Sequence, residues 1–208
     1  KDITFAINEL AELNKISKLP GKEDATPDLI EAVIEEAARL ANGVLSPHNK
    51  SGDEIGAKVV DKKVVPADGF ADIYNAFREG GWPALPFGPE RGGQGLPELV
   101  ATAANEIWQA ANMSFALCPM LTEGAAVAID AHASEALKEI YLPKMISGEW
   151  TGTMNLTESQ AGSDLAAVKT RAEPEGDHYL ISGQKIFITW GDQDFTENIV
   201  HLVLARLP

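Results

Sequence analysis

The sequence predicts an α+β fold, with an all-α helical bundle over residues 1–148 and the start of a β-sheet domain over residues 149–208. Three observations predict it. Apolar residues recur every three or four positions through the first two-thirds of the chain. From Trp150 the repeat changes to strict alternation. The last segment reads as a strand with too few strands behind it to close a barrel or sandwich, so the sheet is expected to be truncated at Pro208 with an open edge. A hydrophobic fraction of 45% is enough to fill a core.

The elements follow in order. Ile3, Ala6, Leu10 and Leu13 mark a first helical stretch. Thr26 is a good N-cap, and Pro27 stands at the first helical position, where a missing N–H costs nothing. Ile30, Val33, Ile34, Ala37, Leu40 and Ala41 then form one stripe, which Gly43 can end. Ser46 to Gly69 is polar and reads as a loop with a short extended pair at Val59-Val60 and Val64-Val65. Phe70, Ile73, Tyr74 and Phe77 make a short helix, stopped by Gly80-Gly81. After a Gly/Pro connection, Leu99, Val100, Ala103, Ile107, Trp108 and Ala111 form another helix. A further one runs from Ser114 to Ala131, and Ser134 caps a last helix that ends before Pro143. Trp150 to Thr157 alternates as a half-buried strand. Further strands fit Val168–Glu173, His178–Ser182, Gln184–Thr189 and Ile199–Ala205, with turns at Glu175-Gly-Asp177 and Ser182-Gly183.

Composition excludes several functions. A net charge of −14 and a pI near 4.6 repel nucleic acid and anionic membranes. No apolar run approaches the ~20 residues that span a bilayer. Cys118 is the single cysteine. It sits among apolar residues, which makes it a buried structural thiol and fits a reducing, cytoplasmic setting. His48, His132, His178 and His201 are scattered without metal-type spacing, so no metal site is expected. Arg91-Gly-Gly-Gln-Gly95 lacks the G-x-G-x-x-G spacing and a preceding strand, and reads as a tight turn into the helix after Pro97.

Chemistry concentrates in three linked pieces: Leu156-Thr-Glu-Ser-Gln-Ala-Gly-Ser-Asp164, Lys169-Thr-Arg-Ala172 and Gly183-Gln-Lys-Ile-Phe-Ile-Thr189. The first is a strand end running into a loop that offers backbone N–H groups and the hydroxyls of Thr157, Ser159 and Ser163. The third presents an aromatic ring, Phe187, and a hydroxyl, Thr189. A flat aromatic cofactor is held by an apolar wall and edge-on hydrogen bonds. A nest of neutral donors can hold a pyrophosphate despite an acidic surface. Taken alone, the same pieces also suit an ordinary turn-rich loop with a core Phe.

In these three pieces the chain resembles the acyl-CoA dehydrogenase family, whose signature is a T-E-P-x-A-G-S-D-type loop, a T-x-A segment and G-x-K-x-W-I-T. Leu142-Pro-Lys-Met-Ile-Ser-Gly-Glu-Trp150 and the helical N-terminal region extend the resemblance over essentially the whole chain. Trp108–Ala116 and Thr151–Asn155 resemble the large bacterial branch that includes methylthiopropanoyl-CoA dehydrogenases. The sequence departs from the signature at Ser159, where proline is usual, and at Phe187, where tryptophan is usual. The second change keeps a ring wall and loses an indole N–H.

The resemblance implies α,β-dehydrogenation of an acyl-CoA thioester, with electrons passed to FAD and onward to an electron-transferring flavoprotein. The sheet would be the start of the family's middle, β-barrel-like domain. Cofactor contacts carry over to Met154, Asn155, Leu156, Thr157, Gly162, Ser163, Phe187, Ile188 and Thr189, and Ser163 also matches a position that touches the acyl-CoA. No residue corresponds to the family's catalytic Glu, which is expected beyond Pro208. The counterpart of Glu158 is not that base. The family implies a homodimer or homotetramer. An acyl-CoA oxidase and a non-catalytic helical and β binding module are the alternatives.

Overall fold

A computed structural model describes residues 2–208. A short helix α1 (Asp2–Phe5) widens into a π-helical turn and is followed by α2 (Leu13–Ile16). Helix α3 (Pro27–Leu40) starts as expected: the Thr26 hydroxyl accepts the Leu29 N–H at 3.3 Å, and Pro27 opens the first turn. Its buried stripe includes Ile30, Ala37 and, just past its end, Ala41.

Gly43 does not end this run. The chain continues through a π-helical turn, Ala41–Leu45, directly into α4 (Pro47–Ile55). The reason is tertiary. Leu45 is fully buried, and its carbonyl accepts the Asn112 side-chain amide at 3.2 Å. Helix α4 was expected to be loop because it buries no residue of its own, so it carries no apolar stripe. The extended pair that follows is present as β1 (Lys58–Val60) and β2 (Lys63–Val65), paired antiparallel.

Helices α5 (Phe70–Glu79), α6 (Glu98–Ala111), α7 (Met113–His132) and α8 (Glu135–Ile146) complete the bundle. Phe77 lies at its centre, edge-on to Trp108 at 5.0 Å and to Phe115 at 5.8 Å. Trp108 donates its indole N–H to the Ala37 carbonyl of α3 at 3.3 Å. Between α5 and α6, the Gly-rich piece is a tight turn. A side chain at Gly93 would collide with the Phe87 backbone, and the Gly95 N–H bonds the Phe87 carbonyl at 2.8 Å.

Helix α7, at 20 residues, is long and apolar enough to cross a bilayer, against the expectation that no run comes close. Here it packs on α6, α8 and the first strand of the sheet region. Cys118 on this helix is buried, as expected of a structural thiol, and burial pushes its pKa up. Helix α8 is capped by Ser134 but runs through Pro143 to Ile146 instead of stopping before it. Burial of Leu142, Met145 and Ile146 outweighs the ~3 kcal/mol cost of an interior proline.

Beyond Gly148 lie β3 (Trp150–Asn155), β4 (Arg171–Glu175), β5 (His178–Ser182) and β6 (Asn198–Val203). They form two separate two-stranded sheets. β4 and β5 make an antiparallel hairpin, and β3 pairs with β6 in parallel rather than joining one antiparallel sheet. β3 lies flat on α7 and α8. A Cβ at Gly152 would sit 2.7 Å from Met145 Cε and 2.8 Å from Ala125 Cβ, so glycine permits this approach. The Thr122 hydroxyl of α7 accepts the Gly152 N–H at 3.0 Å and ties strand to helix.

The strand expected over Gln184–Thr189 does not form. Phe187 and Trp190 have φ of 58° and 54°, outside the extended region. Both ends of the segment are tethered by side chains. Lys185 turns inward, and Trp190 donates its indole N–H to the Ser114 carbonyl at 2.8 Å while its ring lies 5.8 Å from that of Phe70. These anchors override the alternation that suggested a strand.

Candidate functional site

The site starts where β3 ends. Met154 and Asn155 are its last residues, and Leu156 and Thr157 carry the chain into a tight turn closed by reciprocal bonds between Glu158 and Ala161, each 3.0 Å. Gly162 and Ser163 follow in the open. No atom lies within 4 Å of where a Gly162 side chain would be, and Ser163 is exposed. Asp164 then accepts the Ala166 N–H at 3.0 Å and starts a single 3₁₀ turn.

The structure draws part of the expected set together. The Thr157 carbonyl accepts the Ile186 N–H at 3.0 Å, and the Leu156 carbonyl accepts the Lys185 ammonium at 2.9 Å. The loop after β3 therefore lies against the segment that leads to Phe187, Ile188 and Thr189. Phe187 is 87% exposed and is not a core residue. Ile188 and Thr189 line an open groove of about 960 Å³. Met154 lies apart from them, over Gly124 of α7. Asn155 is held by the Thr153 hydroxyl, which donates to its side-chain oxygen at 2.8 Å.

The groove was not anticipated from sequence. Phe70, Met113 and Leu117 line it, together with Gly52 and Asp53 of α4. Gly52 lets α4 come close, since a Cβ there would lie 2.8 Å from the Phe70 ring. Met113 is half-exposed at the head of α7, and nothing in the sequence marked it as part of a surface shared with Phe70.

Glu158 is the other residue sequence reasoning passed over. Its carboxylate is buried and receives four donors: the Lys185 ammonium at 2.9 Å, the Thr170 N–H at 2.9 Å, the Lys169 N–H at 2.8 Å and the Gln160 side-chain amide at 2.6 Å. The adjacent Thr170 hydroxyl, these backbone N–H groups and Lys185 hold it well below the usual carboxylate range, against the opposing cost of burial. That hydroxyl acts by proximity, because its oxygen is buried without a directed hydrogen bond. A carboxylate saturated in this way is a poor proton acceptor. Its telling signal was a Glu and a Lys set among hydroxyl and apolar residues.

Among the described residues, no group of three or more His, Cys, Asp or Glu side chains is placed to hold a metal ion. A flat, phosphate-bearing cofactor fits better what is present: an open loop with Gly162 and Ser163, a free ring at Phe187 and a hydroxyl at Thr189.

Comparison with known proteins shows the family. A family model described as acyl-CoA dehydrogenase, N-terminal domain, matches residues 28–149. A 3-methylmercaptopropionyl-CoA dehydrogenase of Ruegeria pomeroyi is 46% identical over the whole chain, which covers 36% of that protein. The solved butyryl-CoA dehydrogenase of Megasphaera elsdenii superposes with a TM-score of 0.67 at 26% identity, over 79% of this chain and 41% of that one. An acyl-CoA dehydrogenase of Bacillus anthracis, solved with FAD, shares the fold with a TM-score of 0.69 at 22% identity, over 86% of this chain and 29% of that one. The chain spans about a third of the length of the curated relatives it matches.

Proposed function

Because the chain belongs to the acyl-CoA dehydrogenase family, we propose that it supplies the flavin-facing and acyl-facing part of an enzyme that dehydrogenates acyl-CoA thioesters between Cα and Cβ. One observation carries this reading. The loop after β3 and the segment 186–189 are hydrogen-bonded, and that segment carries the exposed Phe187 ring followed by Ile188 and Thr189, which line the groove.

The residues divide the work. The backbone around Leu156 and Thr157, with Gly162 and Ser163, would hold FAD, and the Phe187 ring would wall one face of its ring system. Thr189, which lines the groove two residues after Phe187, would offer its hydroxyl to the cofactor's edge. FAD supplies the electron acceptance, and the protein orients the reactants and excludes water. The surface carries a net −14 charge, so phosphates must be held by these local N–H and O–H donors rather than by a basic field. The groove, lined by Phe70, Met113 and Leu117, accepts an apolar acyl chain.

Removing the weakly acidic α-proton needs a carboxylate with free lone pairs. Glu158 has none to spare. We assign that role outside residues 2–208, with Ser163 as the contact to the thioester side and an electron-transferring flavoprotein as onward acceptor.

The test is spectroscopic. The full-length protein should purify yellow, and its flavin absorbance should bleach when a short-chain acyl-CoA is added anaerobically. Protein that stays colourless after incubation with FAD would overturn the reading.

A further inference from the structure

We propose that the buried Glu158–Lys185 ion pair is the positioning clamp of this site, setting how the segment 186–189 lies against the loop after β3. The proposal rests on the flavin reading above and adds a role for two residues outside the set expected to touch the cofactor.

The argument is geometric. All three motif segments meet at one carboxylate. Glu158 belongs to the first, the N–H groups of Lys169 and Thr170 to the second, and the Lys185 ammonium to the third. Lys185 also reaches back to the Leu156 carbonyl at 2.9 Å, so one side chain grips both the end of β3 and the turn beyond it. The side chains are 4% and 8% exposed, which makes their bonds directional and hard for water to replace. Little else fixes this junction. The buried apolar residues near it, Ala161, Val168 and Ala172, are small. The Ile186 N–H to Thr157 bond is the only other direct tie between loop and segment among the described residues.

A buried pair with every lone pair met confers geometry more readily than net stability. Geometry is what a binding site requires of its supporting residues, and a looser support weakens binding without touching the ligand. The clamp would therefore act on Phe187, Ile188 and Thr189 through the backbone between Lys185 and Thr189. Gln in place of Glu158 keeps the shape but turns an amide NH2 toward donors that need an acceptor. Met in place of Lys185 keeps the stem and removes the charge.

The experiment uses the full-length protein, stripped of flavin and titrated with FAD. E158Q and K185M should each raise the FAD dissociation constant roughly ten- to a hundredfold, by analogy with the loss when the hydrogen-bond partners of metal ligands are removed. Each should also alter the visible absorbance envelope of the bound flavin. The double variant should be no worse than the weaker single one, and K185R should recover most of the affinity. Wild-type affinity and spectrum in both singles, with only a lowered melting temperature, would overturn the clamp and leave a structural pair. If the singles do not fold, the apolar pair E158L/K185M decides, and wild-type FAD affinity there also overturns it. Hydrogen exchange at the Ile186 N–H reads the clamp without flavin. It should quicken in K185M, and unchanged protection there would refute the clamp even if the wild-type protein bound no FAD.

Discussion

In the helical region the deeply buried side chains are apolar and large, among them Ile30, Phe77, Phe115, Leu142 and Met145. After Trp150 the picture reverses. Five of the seven buried polar side chains, Thr151, Thr153, Glu158, Thr170 and Gln193, lie there, and the buried apolar ones are Ala161, Val168 and Ala172. Apolar burial is non-directional and tolerates adjustment. A buried polar network is directional and rigidifies where its members are paired, as they are around Glu158 apart from the Thr170 hydroxyl. The molecule thus builds its scaffold from the first kind of contact and its candidate site from the second. That division suits a site whose donors must point at a ligand.

The largest effect should come from breaking the scaffold. Phe77→Ala removes the ring that Trp108 and Phe115 both pack against. It is expected to cost about 3–5 kcal/mol, measured by urea unfolding followed by far-UV circular dichroism. A loss under ~1 kcal/mol would mean that the bundle is not organised around this aromatic cluster.

The second break is chemical and separates the two regions by pH. Glu158 has a depressed pKa, so its contribution is present above the ordinary Glu value of 4.5 and is lost as pH falls through its folded value. Glu123, on α7, is raised instead, by burial first, with Asn105 opposing and Glu98 adding to the rise. Its cost is relieved on acidification. Acid should therefore loosen the site before the bundle. Amide exchange, corrected for intrinsic rates and followed below pH 4.5, should quicken at Lys169 and Thr170 while α7 stays protected. Simultaneous loss in both regions would remove the distinction.

The same division explains what could be read from sequence. Thr26-Pro27, the Ser134 cap, the strand from Trp150 and the strands over Val168–Glu173 and His178–Ser182 are local signals, and each produced an element of the expected type, although burial along β3 does not alternate and β4 starts at Arg171. Helix α4 escaped because it buries nothing of its own, leaving no stripe to see. The parallel pairing of β3 with β6 escaped because nothing in either strand's own pattern names its partner. Gln184–Thr189 alternates like a strand, yet the anchors at Lys185 and Trp190 come from distant residues. At the site, the loop and the aromatic were legible as residue types. The groove was not, because Phe70 comes from α5 and Met113 and Leu117 come from α7, two helices that only packing brings together.

The smallest effect should fall on the β4–β5 hairpin, where the two regions differ most. Tyr179, Leu180 and Ile181 are each more than half exposed, so neither face of this ribbon rests on the bundle. An exposed strand position filled by a good strand former has little packing to lose. Leu180, opposite Glu173 in the ladder, is the cleanest probe. Leu180→Thr should change unfolding free energy by no more than ~0.5 kcal/mol and leave the helical circular dichroism signal intact. A cost above ~1 kcal/mol in the full-length protein would mean that the hairpin's apolar residues are covered there. The contrast would then sharpen: the strand region would have an apolar core as well, assembled against structure outside residues 2–208, and the polar network around Glu158 would be its interior rather than its edge.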